Sequence, residues 1–277
     1  MTYAFKSGGI ASQWAVGIVV GIVSVWLLGG SIASAAMVTL TPVADNHIRA
    51  GNLANTSYPT GDAEFRIEVK SVLDFNDVNQ QPFARKAYLR FDVSGIAILD
   101  PGPHTFSLFV RSVGEAGELY DVYALNAGFA APGGQLGADW SEAGLTWNNA
   151  PGNDVSSDVQ LDTTWTTLLG SFSAAGKARR DRIDVPFTNL SSYVNTVGPA
   201  DLVTIMIVAR GTSTVSDSPF RLHDRLNSET NMVSQLNVAV PEPASLAVLG
   251  LAGLLAGRGF RVKAGEVDAR SIASVRR

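Results

Sequence analysis

Polar and apolar positions through the middle of this chain alternate with a period of two. In 64–70, Phe65, Ile67 and Val69 fall on one face, while Glu64, Arg66, Glu68 and Lys70 fall on the other. Residues 86–93 repeat the pattern, with Ala87, Leu89, Phe91 and Val93 pointing one way and Lys86, Tyr88, Arg90 and Asp92 the other. Phe106, Leu108 and Val110 continue it after a Pro101-Gly102-Pro103 turn, and 182–185 alternates again. The 202–209 run is almost wholly apolar, which suits a central strand covered on both faces. Leu236, Val238 and Val240 close the set. Turn-rich segments such as Ala131-Pro132-Gly133-Gly134 and Ala150-Pro151-Gly152-Asn153-Asp154 separate these runs, and no sustained helical period interrupts them. The pattern predicts an all-β fold, an antiparallel two-sheet β-sandwich of jelly-roll type, as one domain over 36–239.

The two ends break the pattern. Residues 15–36 are nearly unbroken in apolar character, and Lys6 is the only basic residue before them. Ala33-Ser34-Ala35 fits the small-x-small requirement of a signal peptidase, so 1–35 reads as a signal helix cleaved after Ala35. After Val240, Pro241 and Pro243 fix φ and remove backbone donors. The stretch 244–257 then carries no charge, and Arg258, Arg261 and Lys263 follow. Fourteen helical residues would span about 21 Å, short of the ~30 Å hydrocarbon core. Such a helix crosses a membrane poorly as a permanent anchor. Its basic end would stay cytoplasmic with the polar tail 264–277, leaving the β domain outside.

Composition narrows the partners. The chain has no cysteine, so neither a disulfide framework nor a Cys-ligated metal is available. Between residues 37 and 239 stand 14 Lys and Arg against 22 Asp and Glu, a balance of −8 that opposes nucleic-acid binding. Affinity for an acidic polymer would require a local basic face.

Two segments resemble known families. Val240-Pro241-Glu242-Pro243, the apolar run from Ser245 to Leu255, and the Arg258-Gly259-Phe260-Arg261 cluster resemble the PEP-CTERM sorting signal of Gram-negative bacteria. That resemblance assigns 240–263 to the signal and implies an exosortase-like membrane enzyme that cuts near Pro241-Glu242-Pro243. It also implies a host that makes extracellular polysaccharide; the tail 264–277 is longer than is usual for such signals. The middle resembles the DNRLRE-type domains, which are similar to carbohydrate-binding modules of family 96. The matching residues are Ala44-Asp45-Asn46-His47-Ile48-Arg49, the 86–93 strand, the block from Trp140 to Pro151, and a weaker Arg225-Leu226-Asn227-Ser228-Glu229. The resemblance implies a jelly-roll sandwich in a secreted, polysaccharide-associated protein.

Candidate ligand contacts follow from residue type. Trp140 and Trp165 have aromatic faces of the kind that stack on sugar rings, although a large aromatic such as Trp147 usually serves a core. Lys86, Tyr88 and Arg90 form a basic, aromatic strip on the outward face of their strand, which Asp45 and Arg49 could join. The same strip would equally serve cross-strand ion pairing. Lys177, Arg179, Arg180 and Arg182 make a denser basic run of the kind that is usually just solvated. Asp74-Phe75-Asn76-Asp77 and Asn153-Asp154 are oxygen-rich loops suited to Ca²⁺, yet neither has a full calcium-loop spacing, so no cofactor is predicted. His47, His104 and His223 are scattered, Asp139 and Glu142 need spatial pairing, and no nucleophile elbow, zinc motif or phosphate loop occurs. The expected protein is therefore non-catalytic, bound to or embedded in extracellular polysaccharide, with signal peptidase and exosortase as processing partners. A polysaccharide lyase or hydrolase, and a purely structural adhesion protein, are the alternatives.

Overall fold

β-branched and aromatic residues at alternating positions make extended chain the favoured local state, and eleven strands form among the described residues. The computed structural model describes residues 35–58, 66–72, 84–96, 103–113, 119–126, 128–187, 190, 202–211, 219–226, 229 and 231–241. Ala33, Glu242, Pro243, Arg258, Arg261 and the 74–77 loop lie outside them. The strands are β1 (Ala35–Leu40), β2 (Pro42–Arg49), β3 (Arg66–Val69), β4 (Arg85–Asp92), β5 (His104–Ser112), β6 (Leu119–Leu125), β7 (Thr166–Ser173), β8 (Arg182–Phe187), β9 (Leu202–Ala209), β10 (Phe220–His223) and β11 (Gln235–Pro241). Ala35–Pro241 clusters as one unit. Among the described residues, no helix is long and apolar enough to cross a membrane.

All strand pairings are antiparallel. One sheet runs β1-β11-β5-β10-β3, with β8 also paired to β5; the other runs β2-β4-β9-β6-β7. Facing side chains of the two sheets make one core. Ala87, Leu89 and Phe91 of β4 and Ile205 and Ile207 of β9 meet Phe106, Leu108 and Val110 of β5 and Leu236 and Val238 of β11. Phe106 stacks on Phe187 at 6.0 Å and meets Phe91 edge-on at 6.3 Å. This is the predicted two-sheet sandwich.

β9 is central in its sheet and covered on both sides, as its unbroken apolar run requires. Its opposite face, Met206 and Val208, contributes to a second buried cluster with Ala44, Ile48, Tyr88, Leu125, Trp140, Leu145, Trp147 and Leu161. The five-stranded sheet is thus buried on its outer face as well. Its cover is the long β6–β7 connection, whose two tryptophans each remove ~150–250 Å² from water, on the order of 5 kcal/mol apiece before entropy is counted.

Deleting a core ring should expose the difference between the layers and the surface. Phe106→Ala is expected to cost about 3–5 kcal/mol in urea denaturation. Val43→Ala, at a position 43% exposed, should stay within about 0.5 kcal/mol.

Candidate functional site

The strip expected to face solvent on β4 lies instead beneath the β6–β7 connection. Lys86 and Tyr88 are completely buried and Trp140 is 2% exposed, so none of the three presents a surface to a ligand. Alternation assigns residues to two faces without saying which face meets water, and here both are covered. Trp140 packs edge-on against Tyr88 at 6.2 Å and donates its Nε1–H to Thr204 Oγ1 at 3.0 Å. Arg90, half-buried, lies over the Trp140 ring at 5.4 Å and donates to the Trp140 carbonyl. Tyr88 Oη donates to the Pro151 carbonyl at 3.4 Å, and burial raises its pKa far above the ordinary phenol range. Gly152 turns the chain at φ +69°, where an added Cβ would sit 2.9 Å from Thr166 Cγ2. Trp165 is half-buried and meets Phe129 edge-on at 5.4 Å, making it the sole candidate tryptophan with a partly open surface.

The motif-like residues prove to be lashings. Glu142, in a 3₁₀ turn over Glu142–Gly144, accepts two hydrogen bonds from Arg225, at 2.7 and 3.1 Å. It also accepts the Asp45 backbone N–H at 2.9 Å. Asp45 in turn accepts the Arg225 N–H at 2.7 Å, and Asn46 and Ser57 donate to the Glu142 carbonyl at 2.8 and 2.6 Å. Together they tie β2, the Trp140 loop and the turn after β10 into one corner. Glu142 is thereby committed to a guanidinium rather than paired with Asp139 across a cleft. The basic run after β7 is likewise engaged: Arg179 and Arg180 pair with Glu229, and Arg182 with Asp184.

A different group of cations converges where the sheets approach each other. Glu68 on β3 is fully buried. Its Oε2 lies 3.0 Å from Arg49 Nη2 and 3.0 Å from Arg85 Nη1; its Oε1 lies 2.8 Å from Arg221 Nε and 2.9 Å from Arg66 Nε. Strand register explains the meeting. Arg49 of β2 sits opposite Arg85 of β4, Arg221 of β10 sits opposite Glu68, and Arg66 is two residues from Glu68 on the same face. Even with Arg66 set aside, three guanidiniums share one carboxylate, a local excess of two positive charges. Arg221 is 30% exposed and Arg49 16%. Tyr58 flanks the group, with Arg49 over its ring at 4.3 Å and His47 stacked on it at 5.1 Å.

Electrostatics follows from this packing. Burial holds His47 down to about 3, aided by Arg49, Arg85 and Arg66 against the pull of Glu68. Its Nε2 correspondingly accepts from Arg49 Nε at 3.2 Å as a neutral ring must. Burial alone would raise Glu68; Arg85, His47, Arg221 and Arg66 outweigh it and bring the carboxyl to about 2. Periodicity places Arg66 and Glu68 together on the charged face of their strand, but nothing local marks four strands as neighbours.

Of the remaining histidines, His104 Nδ1 accepts the Ala239 N–H at 3.2 Å, and His223 lies near Glu229 and Arg111. Among the described residues, no group of three or more His, Asp or Glu converges as a metal site would require. The oxygen-rich Asn153-Asp154 loop places Asn153 Oδ1 and the Asp154 carbonyl at 2.8 and 3.0 Å from Lys86 Nζ.

Residues 36–168 match the model of carbohydrate-binding module family 96, a little under half of the chain. The match takes in Arg49, Arg66, Glu68, Arg85 and the Trp140–Trp147 block, and stops before Arg221. No curated protein matches the chain.

The buried carboxylate and imidazole predict the acid response. His47 binds no proton in the folded protein until about pH 3 but does so near 6.5 when unfolded; Glu68 protonates near 2 folded and 4.5 unfolded. In both windows the unfolded chain holds more protons, so stability should fall as pH drops from about 6.5 toward 2. Glu68→Gln should remove about 3–5 kcal/mol at neutral pH, because it leaves buried guanidiniums uncompensated. Urea midpoints across that range check both; a midpoint flat from pH 6.5 to 3 would contradict the placement of His47.

Proposed function

We propose that this protein is a non-catalytic, exported module that binds anionic extracellular polysaccharide through the Arg49–Arg85–Arg221 group. The convergence of three guanidiniums on the single Glu68 carboxylate carries the reading, and the match to a carbohydrate-binding family supports the class of ligand. A polymer carboxylate or sulfate reaching Arg221 and Arg49 would find planar donor forks that suit its geometry. The half-buried Tyr58 ring adjoins those forks. Trp165 and Phe129 form a second, separate aromatic edge.

Delivery is the other half of the proposal. Signal peptidase would cut after Ala35, and an exosortase-like enzyme near Pro241-Glu242-Pro243, releasing the domain to the cell surface or matrix of a Gram-negative bacterium. Those two points bracket the unit Ala35–Pro241, whose ends pair with each other as the first and last residues of β1 and β11. Removal at these points takes at most the terminal residues of β1 and β11 and leaves the rest of the sandwich in place.

Retention of the purified chain on uronate-bearing, sulfated and neutral polysaccharides, with product release followed in parallel, tests the ligand reading. The acidic polymers should retain it, retention should weaken with salt, and no product should appear. Arg221→Ala should lower affinity about 10- to 100-fold, the worth of ~1.5–3 kcal/mol for a hydrogen bond to a charged group. Equal retention of neutral and acidic polymers, or release of oligosaccharides, would overturn it. Intact mass of the protein from the producing cell should lack 244–277; an uncut C-terminus in the envelope fraction would sink the delivery reading.

A further inference from the structure

Lys86 stands at the second position of β4, and its Nζ is surrounded by oxygen. It donates to Asn153 Oδ1 at 2.8 Å and to the carbonyls of Asp154 at 3.0 Å, Ser157 at 2.7 Å and Gln160 at 2.6 Å. The Trp147 ring faces it at 4.5 Å. All four oxygens come from one short loop, closed at its neck by the Asn153–Leu161 bridge and by the Asp162 N–H on the Gly152 carbonyl at 3.0 Å. The loop is held open around the ammonium by its own side chains. Asn153 Nδ2 donates to the Trp147 carbonyl at 2.7 Å, Asp154 Oδ1 accepts from Ser156, and Asp158 Oδ2 accepts the Val72 N–H at 2.8 Å.

We propose that residues 153–160 form a cation-binding loop whose cation is supplied by the chain itself, as the Lys86 ammonium. A loop that gathers main-chain and amide oxygens around one point is how proteins hold small cations. The ligating atoms are neutral oxygens and an aromatic face; the Asp154 and Asp158 carboxylates are engaged elsewhere and supply only their field. Neutral oxygens suit a single positive charge. The site is therefore built for a monovalent cation or a primary ammonium rather than for a divalent metal.

Two neighbouring chemistries are less consistent with these distances. A neutral amine has two N–H groups for four oxygens, leaving more of the cage unsatisfied than an ammonium does. An amide between Nζ and the Asn153 side chain, formed with loss of ammonia, would leave one N–H for three carbonyls. The ammonium satisfies the cage best, and the indole face adds a cation–π contact.

Replacing the tethered cation with a free one tests the assignment. Lys86→Ala removes both the ammonium and its stem, leaving a space that propylammonium could refill. Thermal melts of this variant with propylammonium chloride, against propanol, tetramethylammonium chloride and potassium chloride at matched concentration, should show a saturable rise in Tm of roughly 5–10 °C. Potassium should give a smaller rise, and propanol and tetramethylammonium none. The unsubstituted protein should show no such response. Equal effects of propanol and propylammonium, or an equal response in the unsubstituted protein, would overturn the proposal.

Should the variant fail to fold, the unsubstituted chain decides. With ¹⁵N-lysine it should show at pH 6 one ammonium resonance protected from solvent exchange. Its absence, a neutral-amine signal, or an intact mass short by one ammonia with a peptide joining residues 86 and 153, would overturn the assignment.

Discussion

Closing the outer face of the five-stranded sheet forces a charged side chain on β4 out of water, and much of the architecture around that face serves to make this tolerable. An isolated buried ammonium carries a penalty of several kcal/mol even after relaxation. Burial accordingly pulls Lys86 down to about 7, with Asp154 and Asp158 acting against it. The β6–β7 connection answers by wrapping its own carbonyls around the charge. In doing so it fixes Asn153 against Trp147, and Trp147 and Trp140 against the sheet. Cation, loop and aromatic cover are therefore one cooperative unit. The loop's own turn and side-chain hydrogen bonds, such as Ser157 N–H to the Asp154 carbonyl at 3.4 Å and Ser156 N–H to Asp154 Oδ1 at 2.9 Å, shape it around the group at its centre.

Glu68 meets the same physical problem with the opposite answer. There the buried charge is a carboxylate, and the surrounding strands supply cations in excess. Lys86 is matched by neutral oxygens and leaves no surplus facing solvent; Glu68 is overmatched by guanidiniums, some of them partly exposed. A satisfied buried cation is an element of stability. An overmatched buried anion is a basic patch with a rigid support, because each guanidinium is held on one side by Glu68 while its remaining N–H groups are oriented. That difference is why the binding proposal rests on one cluster and not on the other.

Much of the sandwich was legible because the period-two runs at β3, β4, β5, β8 and β11 and the solid apolar run of β9 report burial directly. The candidate site was not legible, for two physical reasons. Alternation distinguishes two faces but cannot tell a solvated face from one covered by a distant loop; Lys86 and Tyr88 were misplaced by that ambiguity. The cover itself is irregular chain, whose Trp140 and Trp147 follow no period. In addition, Arg49, Glu68, Arg85 and Arg221 lie on four strands and are joined only by register, which depends on the whole topology. The oxygen-rich character of Asn153-Asp154 was visible, and its oxygens do close on one group; what the local sequence lacked was any sign that this group is Lys86 of β4.

Overall charge and local charge now have separable roles. A balance of −8 across 37–239 repels polyanions at long range, whereas at physiological salt a field decays within roughly 8–10 Å. Beyond that distance an acidic polymer is not drawn in; within it, the guanidiniums around Glu68 dominate. Such an arrangement disfavours indiscriminate adhesion to any polyanion and rewards one that can place an anionic group against Arg221 and Arg49. The Lys86 loop fits the same setting. An acidic polymer competes for free metal ions, so a module of the proposed kind would be at risk of losing a structural cation that could exchange. A cation tethered by four methylenes to a core strand cannot be extracted. The proposed binding surface and the internal support are thus compatible with a polyanionic environment for the same electrostatic reason: each keeps its positive charge where the chain, and not the medium, controls it.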